Sequence, residues 1–319
     1  MMVYHAIAII LAYVIDLVIG DPRHLPHPVK WMGACISFLD KKFNKGKRKR
    51  LKGLIMLMLL LLLVFGISFS LVYLFYQWHV IAGILLEGLL IATTIAQKDL
   101  KRASLAVLKP LRKKNIAEAR KQLSFIVGRD TERLSEQEII RGTVETVAEN
   151  TSDGITAPLF WAMIGGAPLA LVYRAVNTCD SMVGYKNDQY KEYGWASARL
   201  DDVLNWIPAR LTGYITMITM KPEGRTFKKA LQIFRRDANQ HNSPNSGWGE
   251  GSVAALLGIQ LGGVNYYHGK ESLSPTIGEA IHTLQTNHIV KAIVIMQRTV
   301  FLFLVMLILV GVLYKFAVL

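Results

Sequence analysis

Apolar and polar positions fall in long blocks along this chain, not in a residue-by-residue alternation. Residues 54–76 run from Leu54 to Tyr76 without a charge. A helix over that block reaches about 34 Å at about 1.5 Å per residue, enough for a bilayer core of about 30 Å. Residues 80–96, interrupted by Glu87, are a second candidate span, and residues 292–318 and 3–19 are two more. The 3–19 block lacks the basic leader and small-residue cleavage site of a removable signal, so it reads as retained. No convincing period-two run occurs, which predicts a mainly α, polytopic membrane protein.

The same pattern divides the chain into an N-terminal membrane region (1–97), a cytoplasm-facing helical catalytic region (98–291) and a C-terminal transmembrane helix (292–319). In the middle region, Ser135-x-x-Glu138 is a capping box opening a helix to about Asn150. Two apolar stretches there are punctuated: 155–173 by Pro158, Gly165-Gly166 and Pro168, and 203–220 by Pro208, Arg210 and Gly213. Both are expected to be re-entrant or core-buried broken helices, tolerated at membrane depth where they pack on protein or line a cavity. That reading keeps every polar motif on one side.

Charge fixes which side. The 319 residues are 52% hydrophobic, beyond an ordinary soluble domain, yet carry a net charge of +14. Lys41 to Lys52 holds eight Lys/Arg in twelve residues, and 98–141 adds many more. Such segments face the cytoplasm. Gln77-Trp78-His79 then becomes the outer turn of a membrane hairpin, and the N-terminus lies outside. The basic run reads as a topology determinant and anionic-lipid contact. A nucleic-acid partner is not supported, because no recognition fold accompanies it. Cys35 and Cys179 have no metal or redox spacing and read as structural thiols.

The scarce polar chemistry is concentrated. Glu145 and Glu149, four apart, share a helix face, and two such carboxylates repel unless a cation intervenes. Mg²⁺ is one such cation; the plain alternative pairs Arg141 with Glu145 as an i,i+4 salt bridge. Asp153-Gly154 reads either as part of the acidic site or as a turn and N-cap. Arg174, Asn177, Asp180 and Gly184 form a polar stripe leaving an apolar stretch, where charge is normally paired or lines a cavity. Arg199, Asp201, Asp202 and Asn205 repeat the theme; Asp201 and Asn205 share a face and Asp202 points elsewhere. Lys186 and Asp188 lie between. Arg235-Arg236-Asp237, His241 and the glycine-rich Ser243-Pro-Asn245-Ser-Gly247-Trp-Gly249-Glu250-Gly251 precede an apolar helix expected over 252–261. This is read as an anion-cradling loop or a tight loop capped by Ser252. No Gly-x-x-x-x-Gly-Lys-Ser/Thr loop exists. Gly20-Asp21-Pro22-Arg23-His24-Leu-Pro26-His27-Pro28 reads as a rigid docking segment; nothing completes a metal site around His24 and His27.

Five stretches together resemble one family: Gly20 to Pro28, Glu149-Asn-Thr-Ser-Asp-Gly154, Asn177-Thr-Cys-Asp-Ser-Met-Val-Gly-Tyr-Lys-Asn187, Gly194-Trp-Ala-Ser-Ala-Arg-Leu-Asp-Asp-Val-Leu-Asn-Trp-Ile-Pro-Ala-Arg210 and Asp237-Ala-Asn-Gln-His-Asn-Ser-Pro-Asn-Ser-Gly-Trp248. They are similar to the CbiB/CobD family of cobalamin biosynthesis, over roughly residues 10–265. The resemblance implies an adenosylcobinamide-phosphate synthase, a multi-pass enzyme of the cell membrane. It would join adenosylcobyric acid to (R)-1-amino-2-propanol O-2-phosphate, or a related amino alcohol, using ATP and Mg²⁺. On that reading Glu145, Glu149, Asp180, Asp201, Asp202 and Asp237 are the catalytic candidates. Glu149, Asp153, Asp180 and Asp201 would hold the metal. Arg174, Asn177, Lys186, Arg199, Arg236, His241, Ser243, Asn245 and Glu250 would bind substrate or phosphate, with the corrinoid against Trp195, Trp206 and Trp248. Partners would be the small-molecule substrates, the bilayer, and a second copy or other corrinoid-pathway membrane enzymes. Two other classes stay open: a non-catalytic AmpE-like membrane signalling protein, and a Mg²⁺-dependent membrane lipid-phosphate transferase using Asn177-x-x-Asp180.

Overall fold

The computed structural model describes residues 2–21, 27–267 and 269–318. The Pro22–Pro26 part of the proposed docking segment, His24 included, lies outside them; beside it, His27 Nε2 is 3.1 Å from Asp21 Oδ1. The chain is 73% helical, which bears out a mainly α polytopic membrane protein. In order come α1 (Met2–Val18), α2 (Pro28–Phe43), α3 (Lys49–Trp78), α4 (Val80–Ala92), α5 (Gln97–Arg112), α6 (Ile116–Ser124), α7 (Glu136–Thr151), a π-helical turn (Ser152–Thr156), α8 (Ala157–Val183), α9 (Trp195–Met217), α10 (Phe227–Asp237), α11 (Ser246–Leu257), β1 (Gln260–Tyr267), β2 (Lys270–Gly278) and α12 (Thr286–Val318).

Among the described residues, four helical stretches are long and apolar enough to cross a membrane: Lys49–Trp78, Val80–Arg112, Glu136–Val183 and Thr286–Tyr314. The first, second and fourth overlap the expected spans at 54–76, 80–96 and 292–318. Helix α1 is apolar but only 17 residues long and falls short of that class, as does α9, which carries most of the ambiguous 203–220 stretch. On α3, Leu54, Leu59, Leu62 and Leu63 are exposed while Met56, Leu57 and Leu60 are buried. An apolar surface of that extent has hydrocarbon, not water, as its solvent.

Contacts divide the chain into two compact units. The first comprises Met1–Ala96, Asp153–Asn205 and Leu304–Leu319, the second Gln97–Ser152 and Trp206–Phe303. Residues 153–205, read from sequence with the catalytic region, therefore group with the N-terminal helices.

In the first unit α3 packs on α4 and α8, and α1 on α4. The α3–α4 hairpin turns at His79, as expected: its backbone is extended and its ring accepts the Ile81 N–H, capping α4. One core cluster joins Met32 and Ile36 of α2, Met56, Leu57 and Leu60 of α3, Leu171, Val176 and Cys179 of α8, and Tyr193. Helix α8 is broken at Gly165 (φ −146°, ψ 30°) and Gly166 (φ 65°, ψ −160°), where the Gly-Gly-x-Pro sequence predicted a break.

In the second unit the capping box forms: Ser135 Oγ accepts the Glu138 N–H and Glu138 returns the bond to Ser135 N. Helix α10 turns Ala230, Ile233, Phe234 and Asp237 inward at i, i+3, i+4, i+7 spacing. Every residue of α11 is buried. Two expectations fail here. The helix expected over 252–261 begins at Ser246 and stops at Gly258, which adopts the left-handed conformation (φ 63°). The chain then forms an antiparallel hairpin, β1 with β2, with a bulge between Leu261 and Gly263. No strand was expected; Gly262-Gly263 and Pro275 erase the alternation that would have announced one.

Candidate functional site

In the first unit, the half of α8 beyond its break carries Tyr173, Arg174, Asn177 and Asp180 at three- and four-residue steps, hence on one side of the helix. The start of α9 presents Asp201, Asp202 and Asn205. Asp201 is held by two amides: Asn177 donates to Oδ1 at 3.3 Å and Asn205 to Oδ2 at 3.0 Å. Asn205 is oriented by the Tyr173 hydroxyl, whose single proton is shared between Asn205 Oδ1 at 2.7 Å and the Asp153 carbonyl at 3.0 Å. Arg174 donates to Asn177 Oδ1 at 3.2 Å. Burial, and then the neighbouring Asp180 charge, push the Asp201 carboxyl up to about 7, against the pull of Asn177 and Asn205. Asp180 is seated over Gly184, where an added Cβ would collide with Asp180 Oδ1.

Asp202 does point elsewhere. Its Oδ2 is 3.8 Å from Arg199 Nη1; burial raises its carboxyl and Arg199 and Lys186 oppose the rise. Lys186, Asp188 and Arg199 are exposed or nearly so, with the Arg199 side chain 70% accessible. Asp153 is neither a turn nor an N-cap. It sits in the π-helical turn that carries α7 into α8, a local irregularity of the kind that frequents functional sites.

In the second unit a second group of acids gathers between α7 and α11. Both oxygens of Glu145 are engaged: Oε2 by Arg129 Nη2 at 2.6 Å, Oε1 by the Gly262 N–H at 2.8 Å, with Arg141 Nε at 3.8 Å. The plain i,i+4 pairing is thus part of a larger network, in which Arg141 also bonds the Gly262 and Val264 carbonyls and Asn265. Glu149 Oε1 accepts the Ser246 hydroxyl at 2.8 Å. Glu250 is buried; burial, then Glu145 and Glu149, drive its carboxyl well above the ordinary range, with Arg129 and Arg141 opposing. His241 Nε2 lies 3.7 Å from Glu250 Oε1.

The glycine-rich segment is not an anion loop. Gly247 and Gly249 are in α11, and a Cβ on them would collide with the Ala238 carbonyl and the Ala148 carbonyl, respectively. These glycines let α11 lie against α10 and α7. Ser252 is helix interior, its hydroxyl bonded to the Gly249 carbonyl. The N-cap position is Asn245, which makes no side-chain cap bond; just before it, Ser243 Oγ accepts from Asn245 N and Ser246 N. Asp237 and Arg236 are bound to each other at 2.6 Å; Asp237 also takes the Gly278 N–H at 2.9 Å and Arg236 reaches Glu279 at 3.3 Å. Asn245 Oδ1 meets Arg210 Nη1 at 3.4 Å. The Arg210 guanidinium lies 4.2 Å from the Trp206 ring centre and 4.8 Å from that of Trp248. Trp195 instead receives Arg50, at 5.6 Å.

Among the described residues no three His, Cys, Asp or Glu side chains are gathered to hold a metal ion. Of the expected set, Asp180 and Asp201 form a pair in the first unit with Asp153 tied to it through Tyr173, and Glu149 belongs to the second. Two carboxylates nonetheless suit Mg²⁺, which takes one or two from protein and the rest from water and phosphate. A half-buried acid pair, with one carboxyl raised by desolvation and then by its neighbour's charge, is the environment a divalent ion relieves.

A family model described as CobD/Cbib protein matches residues 9–296. The chain belongs to the CobD/CbiB family. It is 51% identical over 312 residues to "Cobalamin biosynthesis protein CobD" of Halalkalibacterium halodurans, covering 98% of each chain. It is 48% identical to the protein of the same name from Clostridium perfringens, covering 89% of this chain and 91% of that one. To "Cobalamin biosynthesis protein CbiB" of Salmonella paratyphi B it is 44% identical, covering 90% and 91%. No solved structure matches. The CobD/CbiB resemblance carried by the five motifs therefore holds. Within the family motifs, sequence reasoning assigned no role to Arg210, and it passed over Tyr173 and Arg129 altogether. Tyr173 sits four residues before Asn177, a spacing that could have flagged it; Arg129 offered no local signal.

Proposed function

We propose that this chain is the ATP- and Mg²⁺-dependent amide ligase of cobalamin biosynthesis, joining adenosylcobyric acid to (R)-1-amino-2-propanol O-2-phosphate, or a related amino alcohol, to give adenosylcobinamide phosphate. Family membership and the relatives' names support the pathway. The observation that supports the chemistry is the half-buried Asp180–Asp201 pair, with Asp201 held by Asn177 and Asn205 and with exposed Lys186 and Arg199 nearby in sequence. The basic run between α2 and α3 supports a multi-pass protein of the cell membrane with this face in the cytoplasm.

A propionate carboxylate is a poor electrophile. Its oxygen attacks the γ-phosphorus of ATP, ADP leaves, and an acyl phosphate results. The amine then attacks the acyl carbon, phosphate leaves, and one proton passes to a base. Asp180 and Asp201 would hold Mg²⁺, which would supply charge neutralisation at the phosphate oxygens. Asn177 and Asn205 hold Asp201 in place, and Lys186 and Arg199 neutralise the phosphates. Trp206, about half exposed, offers flat apolar surface for the corrinoid.

The test is purified protein with adenosylcobyric acid, the amino alcohol phosphate, ATP and Mg²⁺, scored for cobinamide phosphate and for ADP against AMP. Amide formation with ADP release is expected. No amide with any amino alcohol overturns the ligase reading, and AMP release overturns the acyl phosphate.

A further inference from the structure

Glu87 is fully buried on α4, a helix with no other charged residue. Ionisable groups in such surroundings are held only where they are paired, and they mark function more often than packing. Here the pairing is complete. His5 Nδ1 of α1 is 2.9 Å from Oε1, and the Tyr76 hydroxyl of α3 donates to Oε2 at 2.5 Å. The Ala167 backbone N–H donates to Oε1 at 3.1 Å.

The last contact has the widest consequence. Helix α8 stops at Gly165-Gly166 and restarts at Ala167, so the Ala167 N–H has lost its helical acceptor. Pro168 has no N–H to offer. The Glu87 carboxylate caps this new N-terminus, where the helix dipole favours negative charge. The approach needs glycine at 166 twice over: its φ is 65°, and an added Cβ would collide with Glu87 Oε1. The half-helix that starts here carries Arg174, Asn177 and Asp180 on its next turns.

We propose that Glu87 is a positioning residue for the Asp180–Asp201 pair. By fixing the start of the half-helix it fixes the rotation and height at which Asn177 and Asp180 meet Asp201. The functional value of that alignment rests on the ligase reading; the alignment itself does not.

The two cysteines test it. Cys179 adjoins Asp180, is fully buried, and lies with its Sγ 3.8 Å from Met56 Sδ. Cys35, on α2 in the same unit, reports on the surroundings. Maleimide labelling of both is followed in native membranes. Glu87→Leu is expected to speed labelling of Cys179 about tenfold, the effect of losing one charge-assisted bond at a buried helix end, while Cys35 changes by less than about twofold. Glu87→Gln keeps an acceptor for Ala167 and is expected to label like the wild type. Gly166→Ala, which displaces the carboxylate, is expected to copy Glu87→Leu even if that variant fails to accumulate. Amide formation should fall in Glu87→Leu and Gly166→Ala and be retained in Glu87→Gln. Cys179 remaining protected in both disruptive variants overturns the proposal; so does a parallel rise of both cysteines, which is general loosening, or a glutamine variant that does not rescue. A wild-type protein that forms no amide overturns the ligase reading alone, because the labelling is read without substrate.

Discussion

Asn205 donates its side-chain N–H to Asp201 Oδ2 across 3.0 Å. The amide cannot turn over, because its oxygen is occupied by the Tyr173 hydroxyl. Asp201 is therefore held by donors on both oxygens and still sits high, at about 7, because it is partly desolvated and stands beside Asp180. A carboxylate kept at such cost is expected to matter for chemistry more than for folding. Asp201→Asn should lower amide formation by about 100-fold or more while membrane insertion persists. Full turnover would take Asp201 out of the reaction.

Glu250 offers a pH signature. It is buried against Glu145 and Glu149, with the Arg129 and Arg141 charges opposing them and the His241 ring 3.7 Å from its Oε1. Its folded-state value lies above its unfolded one. Below the ordinary carboxyl range both states are protonated. Above it the unfolded chain ionises first and the native state retains the extra proton, so stability declines as pH rises until the folded value is passed. Glu250→Gln should flatten that slope in melts taken from pH 4.5 upward. A wild-type curve already flat over this interval would mean that Glu250 is ionised in the native protein.

What was legible in sequence was local. The capping box at Ser135, the turn at His79 and the break at Gly165-Gly166 each depend on residues within a few positions of one another, and each appears where expected. The shared face of Asp201 and Asn205 followed from helical spacing. The fate of Glu145 did not, because its partners Arg129 and Gly262 stand 16 and 117 residues away. Sequence spacing alone suggested a cation between Glu145 and Glu149; the fold gives Glu145 two arginines and Glu149 the Ser246 hydroxyl. The glycine-rich segment misled for a different reason. Close backbone approach to an anion and close approach to another helix demand the same residue, and only the Ala148 and Ala238 carbonyls decide between them.

The Arg129–Glu145 pair is buried, with side chains 7% and 12% exposed. Removing one partner leaves the other charge uncompensated, a loss of about 3–5 kcal/mol in comparable pairs. Arg129→Ala should therefore destabilise more than Glu145→Gln, which leaves a neutral acceptor for the Gly262 N–H. The double variant should be less destabilised than the sum of the two. Chemical melts of the four proteins in one detergent give the coupling directly, and strict additivity would show that the pair contributes nothing as a pair.

Gly249 sets how closely α11 lies against α7. A Cβ there would stand 2.6 Å from the Ala148 carbonyl, and that carbonyl cannot yield as a side chain could. Gly249→Ala is expected to cost about 1–3 kcal/mol, the usual range for overpacking. Because α11 carries Glu250 and Ser246, the shift should also loosen the Ser246–Glu149 bond. Gly128→Ala is the matched control: it is exposed, with nothing within 4 Å of the added atom, and should leave stability within about 0.5 kcal/mol. The two melting curves decide the matter. Equal stability of the two variants would mean that α11 has room to move, and that its glycines do not hold the acids of α7 and α11 at their observed separation.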